Sequence, residues 1–382
     1  MAQADLLWLQ SFERGHLQSL EVLPKYNVKF GPRQVQFGLW DSVGMQATFR
    51  MYDLPVRFGT DVVMPATVIT SLCCAPAARG RGYGGEGLKY MLAHMREAGQ
   101  VITILAPFDM DYYRRLGWEW VQTTRTNRVP TRVIPVGPEA NFVRAATASD
   151  RPGIQAAYKR FASGYRGMSV RDEAEWDLIL DSTEECASYV YVFEMESEIE
   201  GYLVVRGGSI DETFLPEFIT VTPRALRGLL GLLNRLRCQT SVFWWYAPEN
   251  DGLWSKFNHR EIITTLWAEY LGRVVDVPAA LKLLKPDKAL TGELTLAIED
   301  PCAPWNQGTW AVSFANGEVS VSPTPKESQI SMDIQAFSQA FFGALPLTKL
   351  RDQERLQVTT DPAFTALRSL LDGPPMWYNG PL

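Results

Sequence analysis

Arg79 and Arg81 stand among Gly80, Gly82, Gly84 and Gly85 in the segment CCAPAARGRGYGGEGLKYML, residues 73 to 92. Glycines let backbone N–H groups turn inward on an anion at a helix N-terminus, and arginines add charge-assisted bonds. The chemistry of this stretch is therefore the holding of phosphate. Two registers are present. Gly80, Gly82 and Gly85 spell G-x-G-x-x-G, the dinucleotide fingerprint. That fingerprint belongs after the first strand of a βαβ unit, with an acid about 20 residues further on. Here several alternating segments precede the loop, and no acid closes the next strand. Arg79, Gly82 and Gly84 spell R-x-x-G-x-G three residues after Pro76, which ends a strand, and this register fits the position better.

Other chemistries are poorly supplied. The three histidines, His16, His94 and His259, are isolated, and no G-x-S-x-G elbow accompanies them, so surface or packing roles are expected and a metal site is not. The five cysteines (Cys73, Cys74, Cys186, Cys238 and Cys302) form no C-x-x-C pair, which argues against a zinc knuckle or a disulfide framework. A net charge of −6 gives no electrostatic case for nucleic acid. No apolar run approaches the roughly 18 residues that cross a bilayer. The opening MAQADLLWLQSFERG has no basic segment before its apolar stretch, so a cytoplasmic protein is expected.

The length of 382 residues, with 46% hydrophobic and 21% charged, predicts a soluble globular chain of two or three domains. Periodicity predicts a helix over 5–25, then strands in YNVKF (26–30), MQATFRMYDL (45–54) and TVITSLCCAP (67–76). A helix follows the glycine loop to about Ala98, with Leu88, Met91, Leu92 and Met95 on one buried face. QVITILAP (100–107) is a strand, and DMDYYRRLGWEWV (109–121) a short helix leading into another. Next come the strand pair SYVYVFEM and IEGYLVV, and then FITVTPRALRGLLGLLNRL (218–236). This last segment repeats the order strand, proline, helix, with Pro223 for Pro76. Arg224, Ala225 and Leu226 replace the glycine loop, so it reads as a degenerate internal repeat, with chance similarity the rival. SVFWWYAPEN fits a buried strand whose aromatics are core. Beyond about 280, GELTLAIEDP and TWAVSFANGEVSVSP alternate, Asn316-Gly317 signals a hairpin, and DIQAFSQAFFGAL and DPAFTALRSLL read as amphipathic helices.

R-x-x-G-x-G after a strand-ending proline is the pyrophosphate-loop motif of the GNAT acyltransferases. With YYRRLGWEW (112–120) downstream, a second copy without the loop, and a C-terminal α+β segment, the chain resembles the enhanced intracellular survival (Eis) family. The resemblance implies an α+β fold. Two tandem GNAT-like domains, with mixed, largely antiparallel sheets flanked by helices, would span 1–131 and 132–279. A sterol-carrier-protein-like domain would span 280–382. It also implies acetyl-CoA as acyl donor, no metal, and a primary amine as acceptor, whether aminoglycoside-like, polyamine or lysine. The family commonly assembles as homohexamers. Carried over by position, the backbone at Leu72, Cys73 and Cys74 would pair with the pantetheine amides. Arg79, Gly80, Arg81, Gly82, Tyr83, Gly84 and Gly85 would hold the pyrophosphate, and Phe108 and Asp109 would lie beside the cofactor arm. Tyr113, in the motif Y-x-R-[FL]-G-[YW], would be the general acid, and the terminal carboxylate of Leu382 the base. A phenol of pKa near 10 stays protonated at pH 7 and can donate to a departing thiolate. Tyr112 is its neighbouring rival. An acyl-cysteine route through Cys73 or Cys74 lacks a nearby histidine. Two other functions stay open: a carrier of lipid or small apolar ligands through the C-terminal domain, and a CoA-binding regulator without turnover.

Overall fold

The computed structural model describes residues 3–12, 33–182, 187–252, 257 and 260–380. The expected helix beyond Phe12, the strand at 26–30, and His16, Cys186, His259 and Leu382 lie outside the described residues. The chain forms two compact units. One combines Met1–Gln122, Arg166–Val170 and Glu269–Leu382; the other combines Thr123–Tyr165 and Arg171–Ala268.

In the first unit, a helix over Gln3–Phe12 precedes strands Gln34–Asp41, Gly44–Asp53 and Ala66–Cys74, which pair antiparallel in that order. Ala66–Ile69 then runs parallel to strand Ile102–Leu105, the connection being helix Tyr83–Glu97. The expected stripe of Leu88, Met91, Leu92 and Met95 is wholly buried, in one cluster with Ala47, Phe49 and Ile69. At about 1.5–3 kcal/mol for each buried large apolar side chain, this stripe fixes the helix on the sheet. Close approach comes at Gly87, where a Cβ would stand 2.0 Å from the Phe49 ring.

The same unit contains a five-stranded sheet, with Gly292–Glu299 between Gly308–Ala315 and Ile330–Asp333. The Asn316-Gly317 signal is realised as a turn between Gly308–Ala315 and Glu318–Pro323, with φ of 55° and 82°, as a type I′ hairpin requires. One expectation fails here. Helix Ile334–Phe342, read as amphipathic, is enclosed nearly all round, and even Ser338 and Gln339 are buried. Its polar side chains satisfy distant carbonyls: Gln335 Nε2 donates to Arg114 O and Gln339 Nε2 to Trp120 O. Helix Asp361–Leu371 likewise turns Ala363, Phe364, Leu367, Leu370 and Leu371 inward. Neither of these two helices exposes a large apolar side chain.

The second unit builds a hairpin from Ser188–Met195 and Glu198–Arg206. Glu212–Thr220 pairs antiparallel with the latter and parallel with Val242–Pro248, across helix Pro223–Arg235. That strand–helix–parallel strand order is the one seen around the glycine loop, so the internal repeat is topological. The helix start differs, however: the Thr222 side chain accepts from the Ala225 N–H, closing the end that glycines leave open in the first copy. Phe243 and Trp245 are core, as expected for SVFWWYAPEN. Trp244 and Tyr246 instead join Phe214 and Trp267 in an aromatic row on the opposite face.

Candidate active site

Strand Ala66–Cys74 follows its parallel neighbour only as far as Ile69, paired with Leu105, where the neighbour ends. Just beyond, Ser71 has φ 54° and the ladder to Gly44–Asp53 slips between Thr48 and Arg50. A non-glycine residue at positive φ within a strand marks a bulge that re-aims the chain. Leu72, Cys73 and Cys74 thus lie on a stretch with no ladder partner along that edge among the described strands. Such an edge offers N–H and C=O groups to an extended ligand.

The loop follows at once. Arg79 Nε donates to Cys74 O (3.4 Å), and Gly80 and Gly82 have φ of 78° and 89°. Gly82 is the N-cap of Tyr83–Glu97 and brings no side-chain acceptor, so N–H donors of the first turn have no cap. A Cβ added to Gly80, Gly82 or Gly85 would meet nothing within 4 Å. Uncapped donors, open ground in front of them and the exposed Arg79 and Arg81 fit a pyrophosphate. Gly84 does a different job, since its Cβ would stand 2.3 Å from Tyr112 Oη and 3.5 Å from Cys74 Sγ. Bare backbone is needed there for strand, helix and tyrosine to converge. Tyr83 turns its hydroxyl to Asp41 Oδ2 (2.8 Å), tying the loop to the Asp41 turn and lowering the pKa of that carboxyl.

Tyr113 sits on the short helix Met110–Arg114, which Asp109 caps by accepting from the Tyr112 N–H (3.0 Å). Phe108 is 70% exposed and packs on both Tyr112 (5.3 Å) and Tyr113 (5.4 Å). Tyr113 itself is 3% exposed, edge-on to Tyr112 and Trp118. Burial pushes its phenol well above the usual 10 and that of Tyr112 to about 12, so both are protonated at neutral pH. Burial likewise raises the Cys73 thiol to about 12, which leaves an acyl-cysteine route without its thiolate. His94 lies edge-on to Phe37 (5.1 Å), a packing role. Among the described residues, no group of three or more His, Cys, Asp or Glu could hold a metal ion.

Sequence spacing missed what holds the Tyr113 turn. Arg273 is fully buried, donates through Nη1 to Leu116 O (2.6 Å), and grips both oxygens of Asp300 through Nη2 (2.7 and 2.8 Å). Gly117, with φ 90°, leaves room for it, since a Cβ there would lie 1.4 Å from Nη1. The run toward the C-terminus is also anchored. The Tyr378 backbone N–H donates to Gln122 Oε1 (2.5 Å), Gln122 Nε2 donates to Tyr378 O (3.2 Å), and the Tyr378 and Tyr52 hydroxyls are 3.3 Å apart. Leu382, the expected base, lies beyond the described residues.

Residues 33–121 and 167–274 each match a family described as an acetyltransferase (GNAT) domain, and residues 277–379 match a sterol carrier protein domain. A protein of Streptomyces avermitilis named an uncharacterized N-acetyltransferase is 23% identical over 359 residues, covering 87% of this chain and 85% of that protein. Among solved structures, a GCN5-related N-acetyltransferase from Anabaena variabilis has a TM-score of 0.86 at 19% identity, covering 100% of this chain and 97% of the other. Eis1 from Mycobacterium abscessus gives 0.73 at 19% identity, with 91% and 90% covered.

Proposed function

We propose that this chain, a GNAT acetyltransferase of Eis-like build with two GNAT domains and a sterol-carrier-protein domain, transfers acetyl from acetyl-CoA to a primary amine. The observation that carries this reading is the uncapped glycine helix start lying beside an unpaired strand edge. Acetyl-CoA, once bound, supplies an activated thioester whose C–S bond breaks as the amide N–C bond forms. One proton must therefore leave the amine and one must reach sulfur. The backbone of Leu72, Cys73 and Cys74 takes the pantetheine arm, beside Phe108 and the Asp109 cap, and the Arg79–Gly85 loop takes the pyrophosphate. Tyr113 holds the proton for sulfur; its hydroxyl is protonated at neutral pH, and its ring packs against the exposed Phe108 beside the donor's strand edge. The terminal carboxylate of Leu382 takes the proton from the amine. The anchoring of Tyr378 against Tyr52 and Gln122 supports a tail directed into this unit.

The acceptor classes are aminoglycoside-like, polyamine or lysine amines. A panel of these, assayed for thiol release from acetyl-CoA and for the mass of one acetyl group on the amine, tests the reading. Amine-independent release across the whole panel would refute it. We further propose a cytoplasmic homo-oligomer, a homohexamer. Free Cys73, Cys74, Cys238 and Cys302 support a reducing compartment, and the exposed Tyr246, Ile263, Leu266 and Trp267 support a covered face. Sedimentation of the native chain reads the assembly, and a monomer at every concentration would refute it.

A further inference from the structure

Arg50 lies on strand Gly44–Asp53 with 4% exposure, and its Nε and Nη2 are buried without a hydrogen-bond partner. Those two nitrogens form one edge of the guanidinium, the edge that grips a carboxylate through two parallel bonds. Among the described residues no other buried arginine has both nitrogens of that edge without a hydrogen-bond partner. Burying a guanidinium whose ion partner, Asp5, stands beyond hydrogen-bond distance is costly, so an arginine kept this way is set to receive a closer acceptor.

It adjoins the strand edge that the acetyltransferase reading gives to the acyl donor. Arg50 is registered against Thr70, the first residue past the last pairing of Ala66–Cys74 with Ile102–Leu105. The ladder slip and the Ser71 bulge adjoin it. Side chains alternate along a strand, so Arg50 faces away from Phe49, which packs on the loop helix at Gly87. On the Arg50 face stand Asp5 of the first helix, with Oδ1 3.7 Å from Nη2, and Tyr52, whose hydroxyl meets Tyr378. The donor's phosphate loop belongs to the other face. Asp5 is too far for a hydrogen bond but close enough to balance the charge. An open guanidinium edge beside a carboxylate complements a zwitterion better than a bare anion or a polycation.

We infer that Arg50 and Asp5 form the recognition end of the acceptor site, and that the acceptor is an amine carrying a carboxylate, of the amino-acid class. The inference rests on the acetyltransferase reading and narrows its acceptor. Polyamines and aminoglycosides, which carry no carboxylate, are the poorer substrates.

The test pairs amines that differ only in the carboxylate, L-lysine against cadaverine and L-phenylalanine against phenethylamine, with thiol release from acetyl-CoA as readout. The carboxylate-bearing member is expected to have the higher kcat/KM by about 10- to 150-fold, the range of a charged hydrogen-bonded contact. Arg50→Leu should bring that ratio toward one, and Arg50→Lys, which keeps the charge but loses the fork, should restore only part of it. Acetyl-CoA affinity by calorimetry shows that each variant is folded. Equal turnover of both members by the wild-type chain overturns this inference while leaving the acetyltransferase reading intact, as does a ratio that survives Arg50→Leu. A selectivity for succinyl-CoA over acetyl-CoA that disappears in Arg50→Leu moves the fork to the donor and overturns the acceptor assignment. Absence of turnover with every amine overturns both readings.

Discussion

Removing the Asp300 carboxylate tests the packing beneath the site. Arg273 and Asp300 are 0% and 1% exposed, and the pair is joined by two bonds of 2.7 and 2.8 Å. Asn306 Nδ2 adds a third bond to the carboxylate at 2.9 Å, and the guanidinium lies over the Trp118 ring. Asp300→Ala strands a buried cation whose remaining acceptor is the Leu116 carbonyl, and breaking such a pair costs about 3–5 kcal/mol. Glu318→Ala removes a partner of Lys285, 46% and 72% exposed, and should cost about 0–1 kcal/mol. The double change Arg273→Met with Asp300→Leu should recover most of the loss, because apolar replacement of a buried pair is often neutral. Urea unfolding followed by tryptophan fluorescence reads all three. Equal midpoints for Asp300→Ala and Glu318→Ala would refute the reasoning, since the buried pair would then behave as an exposed one.

Other outcomes follow from the same geometry. Arg79→Ala, and Gly82→Val at a φ of 89°, should each weaken CoA binding, about 10- to 150-fold for the lost charged contact; unchanged affinity by calorimetry in both would remove the loop from the site. Calorimetry should find one CoA per chain, because Thr222 already caps the equivalent helix in the second unit; two equivalent sites would contradict this. Iodoacetamide should label exposed Cys238 in the native chain and spare Cys73, whose thiol burial raises to about 12. Asp150 is held well below its ordinary 3.8, first by Arg144. A depressed carboxylate stabilises the fold above its unfolded pKa, so this contribution is full above about pH 4 and is lost as pH falls further. Acid unfolding should flatten over that window in Asp150→Asn, and an unchanged acid profile would count against it.

What was legible in the sequence was what depends on near neighbours. Three- and four-residue spacing placed Leu88, Met91, Leu92 and Met95 on one face, and the backbone demands of Asn316-Gly317 named their turn. The glycine loop was legible because the positive φ of Gly80 and Gly82 favours glycine. Charge pairs closed over long distances left no such trace, as with Arg273 and Leu116, which are 157 positions apart. Nor could spacing separate Gly80, Gly82 and Gly85, which face open space, from Gly84 and Gly117, which clear room for Tyr112 and Arg273. Helix Ile334–Phe342 misled for a related reason. Its glutamines look solvent-facing in a periodic reading, yet each meets a carbonyl more than two hundred residues away. Arg50 looked like an ordinary polar residue in an alternating strand, and only its unfilled edge in three dimensions sets it apart.

The most direct test of the central claim is single-turnover thiol release in Tyr113→Phe, with acetyl-CoA affinity measured on the same preparation. The substitution keeps the ring among Phe108, Tyr112 and Trp118 and removes only the hydroxyl proton. General acid catalysis contributes about 10²- to 10⁴-fold, so the rate should fall by that order while acetyl-CoA affinity stays nearly unchanged. Release at the wild-type rate would contradict acyl transfer driven by Tyr113.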